Sequence, residues 1–138
     1  MTEQCTDPFP STQTSVTGSV SSPRKAAEGR EAAAAFLTEL NPPPSPSAVQ
    51  SLLLLSSELV TNAIRHAGAV TSLSFRADRS SLHVQVADPS PARPQARTPD
   101  MTGRSGGFGW PMVLRLADRV TIRTLGNDGK IILAALPR

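Results

Sequence analysis

The sequence predicts an α+β fold in two layers: a mixed, mostly antiparallel sheet with its helices on one face. Three observations carry that expectation. The elements run helix, helix, strand pair, long loop, helix, strand pair, an order that does not suit a doubly wound parallel sheet. The second helix has apolar residues at Val49, Leu52, Leu53, Leu59, Val60, Ala63, Ile64 and Ala67, the spacing of a single core-facing stripe. Two later segments alternate apolar and polar residues around short turns, as half-buried hairpin strands do.

Taken in order, residues 1–22 are rich in Ser, Thr, Pro and Gln and poor in large apolar side chains. Such a composition does not repay the entropy of ordering, so a flexible tail is expected over 1–22 and one domain over 23–138. Ser22-Pro23 offers an N-cap and a proline for a first helical turn, and Ala26 to Leu40 is alanine-dense with Phe36, Leu37 and Leu40 at helical spacing. Asn41 to Pro46 holds four prolines and forms a stiff connector. A second helix is expected from near Ser47, with Gly68 placed to cap its end. Leu73, Phe75 and Ala77, then Leu82, Val84 and Val86, predict a hairpin around Asp78-Arg79-Ser80-Ser81. Residues 89–108 read as a mobile lid, because a structureless stretch of that length in a small domain is usually functional or disordered. Pro111 opens a short helix to Ala117, and Val120 to Thr124 and Lys130 to Leu136 flank the turn Gly126-Asn127-Asp128-Gly129.

Composition excludes several function classes. No run of about 18 apolar residues and no leader pattern occurs, so neither membrane span nor secretion signal is expected and a cytoplasmic location follows. Cys5 is the only cysteine, which leaves no disulfide or cysteine-based metal site. The net charge of +3 and a pI of about 10.0 first suggest nucleic acid. The twelve arginines are scattered, however, with no basic run, no tyrosine and no aromatic series on which bases could stack.

Glu58 and Asn62 stand one helical turn apart on one face, and His66 continues the line. An asparagine in mid-helix forms helix poorly and is costly to bury unless its amide is satisfied. Its carbonyl oxygen suits Mg²⁺, which takes one or two protein oxygens and fills its other positions with water and phosphate. Glu58 beside it can act as a general base. The alternative is a solvated polar stripe. Asp88 ends an apolar strand, where it either accepts a ligand hydrogen bond or starts a turn before Pro89. Gly103 to Pro111, G-R-S-G-G-F-G-W-P, carries glycines that let backbone N–H groups close on phosphates, or that merely make a flexible connector. His66 reads as helix-end packing or hydrogen bonding, and Trp110 as packing at the foot of the loop.

In full, Ser57-Glu58-Leu59-Val60-Thr61-Asn62-Ala63-Ile64-Arg65-His66-Ala67 closely resembles the N-box of the GHKL ATPases, and most of all their small bacterial branch, the anti-sigma-factor serine kinases. The resemblance runs from about Arg30 to Pro137 and implies a two-layer α/β sandwich. It implies ATP and Mg²⁺ as cofactors, Glu58 as the catalytic base, Asn62 as the Mg²⁺ ligand, and Asp88 as the acceptor of the adenine amino group. Arg104, Gly106, Gly107 and Gly109 would face the phosphates, and Arg30 would approach the γ-phosphate or a partner. The implied partners are a sigma factor and an anti-anti-sigma antagonist phosphorylated on serine, with a homodimer left open and no direct contact with nucleic acid or membrane. Two departures stand at the adenine end. The family's D-x-G-x-G is here Asp88-Pro89-Ser90-Pro91-Ala92, and its G-T-T is Gly129-Lys130-Ile131. The expectation is therefore an ATP-dependent serine/threonine protein kinase controlling transcription by partner switching. The alternative is a non-catalytic interaction module on the same fold with a weakened nucleotide site.

Overall fold

The computed structural model describes residues 21–92 and 109–138, together with the backbone of Val16 and Thr17. The elements are β1 (Val16–Thr17), α1 (Ala26–Thr38), α2 (Pro46–Ala67), β2 (Ser72–Ala77), β3 (Ser81–Asp88), α3 (Gly109–Leu116), β4 (Arg119–Thr124) and β5 (Lys130–Pro137).

Both long helices are delimited by chain chemistry. Helix α1 begins after Lys25 rather than at Ser22-Pro23, and the Arg24 N–H, which donates to Glu28 Oε1 at 2.7 Å, steadies its first turn in place of a side-chain cap. At α2 the Ser45 hydroxyl accepts the Ala48 N–H at 3.1 Å and Pro46 takes the first helical position, where its missing N–H costs nothing. The helix ends on Gly68, whose φ of 84° lets its N–H return to the Ile64 carbonyl.

The sheet order is β1-β2-β3-β5-β4, and every described pairing is antiparallel. It is thus more uniform than the mixed sheet expected. Part of the span read as a tail joins it: Val16 and Thr17 pair with Ala77 and Arg76, and Ser21 exchanges backbone hydrogen bonds with Leu73. Composition measures what a segment can bury, whereas an edge strand is held by backbone groups that every residue carries. Residues 1–15 and 18–20 of the expected tail lie outside the described residues, as does most of the expected lid.

The β2–β3 turn is closed by Asp78, whose Oδ1 accepts the N–H groups of Ser80 and Ser81 at 2.9 and 2.8 Å. Alternation then decides which side chains face the helices. In β3, Leu82, Val84, Val86 and Asp88 point inward, and in β5 Lys130, Ile132, Ala134 and Leu136 do so. Helix α2 packs over β3 and β5, with α1 and α3 against it. The apolar core includes Leu52, Leu55, Leu59, Leu73 and Val113, all fully buried, and the rings of Phe36 and Phe75 stack with centroids 5.3 Å apart.

Candidate functional site

The α2 line of polar residues is not a solvated stripe. Glu58 is half-buried and Asn62 is 6% exposed, set among the buried Leu59, Val60 and Ala63. Burying an asparagine amide in an apolar setting is costly unless a partner or ligand satisfies it. His66 is exposed in the last turn of α2.

Helix α3 brings its first residue, Gly109, against Glu58. A methyl group at Gly109 would stand 3.2 Å from Glu58 Oε1, so the absence of a side chain there keeps the carboxylate open. Burial pushes the Glu58 carboxyl above its ordinary value of 4.5, and the charge of Arg65 partly offsets that rise. Removal from water makes this carboxylate a stronger proton acceptor, the property a general base needs. Trp110, beside Gly109, is buried in the core, in agreement with its reading as packing.

No group of three or more His, Cys, Asp or Glu residues among those described could hold a metal by itself. A lone amide oxygen one turn from a carboxylate is instead the donor set that suits Mg²⁺ bound mainly through phosphates and water. The buried amide oxygen of Asn62 fits that group by its donor chemistry.

At the end of β3, Asp88 is 3% exposed and does more than start a turn, although its Oδ1 also accepts the Ser90 N–H at 2.9 Å. Directly across the β3–β5 ladder stands Lys130, 2% exposed. Its Nζ lies 3.0 Å from both carboxylate oxygens and donates to Asp88 Oδ1 and, at 3.1 Å, to the Ser90 carbonyl. Oδ2 is within ionic contact of Nζ but outside hydrogen-bond geometry, and among the described residues no other group takes it. Gly129 makes the approach possible. Its φ is 118°, and a Cβ there would lie 2.1 Å from the Asp88 carbonyl oxygen.

The structure therefore brings Gly109 at the start of α3 against Glu58, with Asn62 one turn further along α2, and sets Asp88 at the β3 terminus. Arg104, Gly106 and Gly107 lie outside the described residues. Arg30 is exposed on α1 and lines an open groove with Gln50, Ser51, Leu53, Leu54 and Leu116, a groove that includes none of Glu58, Asn62 and Asp88. The residue that sequence reasoning missed is Lys130, seen there only as a missing threonine hydroxyl. A signal was present, since Lys130 is in phase with the apolar residues 132, 134 and 136.

No helix among the described residues is long and apolar enough to cross a membrane. The profile of the histidine kinase-like ATPase domain matches residues 20–136. No curated protein matches the sequence. Among solved structures, the crystal structure of the RsbU and RsbW domains of Rv1364c from Mycobacterium tuberculosis matches with a TM-score of 0.53 at 16% identity, over 87% of this chain and 33% of that one. The chain thus spans about a third of that protein's length, and at this identity the likeness establishes the shared fold. With the profile covering nearly all of the described chain and the antiparallel sheet under α2 agreeing with it, the chain belongs to the histidine kinase-like ATPase domain family.

Proposed function

We propose that this chain is a cytoplasmic, ATP-dependent regulatory serine kinase of the anti-sigma type, which phosphorylates an antagonist protein and thereby controls transcription by partner switching. The observation that carries the proposal is the pairing of a half-buried Glu58 with a buried Asn62 one turn later on α2. The likeness to a chain containing an RsbW domain supports the choice of an anti-anti-sigma partner over a small-molecule substrate.

Asn62 would hold Mg²⁺ through its amide oxygen, and the ion, when bound, neutralises and aligns the phosphates. Glu58 would accept the proton of the attacking seryl hydroxyl as that oxygen bonds to the γ-phosphorus and the bond to ADP breaks. Helix α3 begins beside Glu58, and its free N–H groups favour negative charge there. Glu58→Ala is expected to keep Mg-ATP binding and lose phosphoryl transfer by about 10²- to 10⁴-fold, whereas Asn62→Ala loses both. Calorimetric titration with Mg-ATP and a phosphorylation assay on the antagonist measure the two effects. Unchanged transfer by Glu58→Ala would remove the kinase reading.

A second reading has a specific observation in its favour. The buried Asp88–Lys130 pair engages the carboxylate that would read the base, which suits an interaction module on the same fold with a weakened nucleotide site. Saturable binding of Mg-ATP that depends on Asn62 would exclude it.

A further inference from the structure

A buried ion pair is not the obvious choice for this position. Two desolvated charges seldom stabilise a protein more than apolar residues of the same volume, and inward-facing β5 positions 132, 134 and 136 are all apolar. The Asp88–Lys130 pair is also nearly complete in itself. The ammonium group has three N–H donors, and it faces Oδ1 and Oδ2 of Asp88 and the Ser90 carbonyl, all within 3.1 Å. Oδ1 is used twice, by Lys130 and by the Ser90 N–H. The remaining acceptor, Oδ2, has an atomic surface below 1 Å² and sits against the positive charge.

A base that donates an amino hydrogen to Asp88 must therefore compete with a tethered cation for the same carboxylate. The competitor is intramolecular, and Gly129 holds its strand close enough for the pair to stay in register. We infer that Lys130 is a resident counter-ion that silences base reading at Asp88, so that the site binds nucleoside triphosphates through their phosphates and discriminates little between bases. The inference rests on the proposed nucleotide site at Glu58 and Asn62. It specifies the ligand class of that site: Mg²⁺ complexes of triphosphates, with the base a minor determinant.

The test is calorimetric titration of the full chain and of Lys130→Thr with Mg-ATP, Mg-GTP and Mg-tripolyphosphate. The full chain is expected to bind ATP and GTP within about threefold of each other. Lys130→Thr, which frees the carboxylate, is expected to bind ATP about tenfold tighter with GTP little changed, the scale of one hydrogen bond to a charged group. A preference of a hundredfold for ATP over GTP in the unaltered chain would overturn the inference while leaving the nucleotide site in place. So would an ATP affinity that Lys130→Thr leaves unchanged. Binding of none of the three ligands by either protein would refute the nucleotide site itself, and the inference with it.

A second measurement needs no variant. The sequence has two lysines, the exposed Lys25 and the buried Lys130, so amine acylation read by peptide mass spectrometry reports on the pair directly. Lys130 is expected to be protected relative to Lys25 and to stay protected under saturating Mg-ATP. Unmasking of Lys130 by ATP would mean that adenine displaces the lysine, and the inference would fall even if Lys130→Thr did not fold.

Discussion

Gly129→Ala tests whether the close contact of β5 with the end of β3 is what holds the Asp88–Lys130 pair together. The added Cβ would lie 2.1 Å from the Asp88 carbonyl oxygen and 3.0 Å from Pro89 Cα. Both are backbone atoms, so no flexible side chain can give way, and the strands must separate by roughly 1 Å to restore van der Waals contact. The φ of 118° adds strain of about 1–3 kcal/mol for a residue with a side chain. Separation would also disturb the Leu125 N–H bond to the Gly129 carbonyl, 2.8 Å long, and the buried ion pair one residue further on. The expected destabilisation is at least about 3 kcal/mol, since uncoupling a buried pair alone costs about 3–5 kcal/mol. Gly126→Ala is the control, for Gly126 lies in the same turn with a φ of 63° but has nothing within 4 Å of an added Cβ. It should cost only about 1 kcal/mol. Equilibrium unfolding in urea, with Trp110 fluorescence as probe, measures both. Equal costs for the two variants would show that the contact with Asp88 yields freely, and the account of a rigid, glycine-dependent register would be wrong.

Three other predictions concern the base and the core. Phosphoryl transfer should decline on the acid side with an apparent pKa above 4.5, because burial raises the Glu58 carboxyl and only the ionised form accepts a proton; a pH–rate profile checks this, and Glu58→Gln should abolish that limb. The same shift has a stability consequence of opposite sign. Between 4.5 and the raised folded value the native state binds more protons than the unfolded one, so stability falls with rising pH in that window, and Glu58→Gln should flatten the dependence in urea titrations at several pH values. Phe36→Ala removes a ring stacked on Phe75 from a site that is 4% exposed, and it should cost about 3–5 kcal/mol in the same assay without changing Mg-ATP affinity measured under folding conditions.

The Asp88–Lys130 pair also bears on how the proposed nucleotide site could be tuned. Asn62 and Glu58 lie on a long, well-capped helix, where position follows from helical periodicity and the core beneath. Base reading at Asp88, as proposed, would rest on the meeting of two strand ends, where the residue at position 130 on β5 faces the β3 carboxylate. The phosphate end and the base end of such a site can therefore change separately. On the proposed reading, this chain keeps the first, while Lys130 occupies the carboxylate of the second.

Much of this was legible in the sequence. The period of apolar residues from Val49 to Ala67 set α2, and Gly68 set its end, because helix periodicity and capping are local properties. The alternations at 73–77, 82–86 and 130–136 set the strands, and the E-x-x-x-N spacing put Glu58 and Asn62 on one face. Burial of that face was not legible, since a polar stripe looks the same whether it meets water or a pocket. The pairing of Val16 and Thr17 with β2 was missed because edge pairing depends on backbone groups and proximity, not on side-chain composition. Nor could the sequence join Asp88 to Lys130, 42 positions apart. Each residue belonged to a strand that sequence had identified, but only the β3–β5 register, fixed by the sheet order and by Gly129 at the strand end, made the two charges meet out of water.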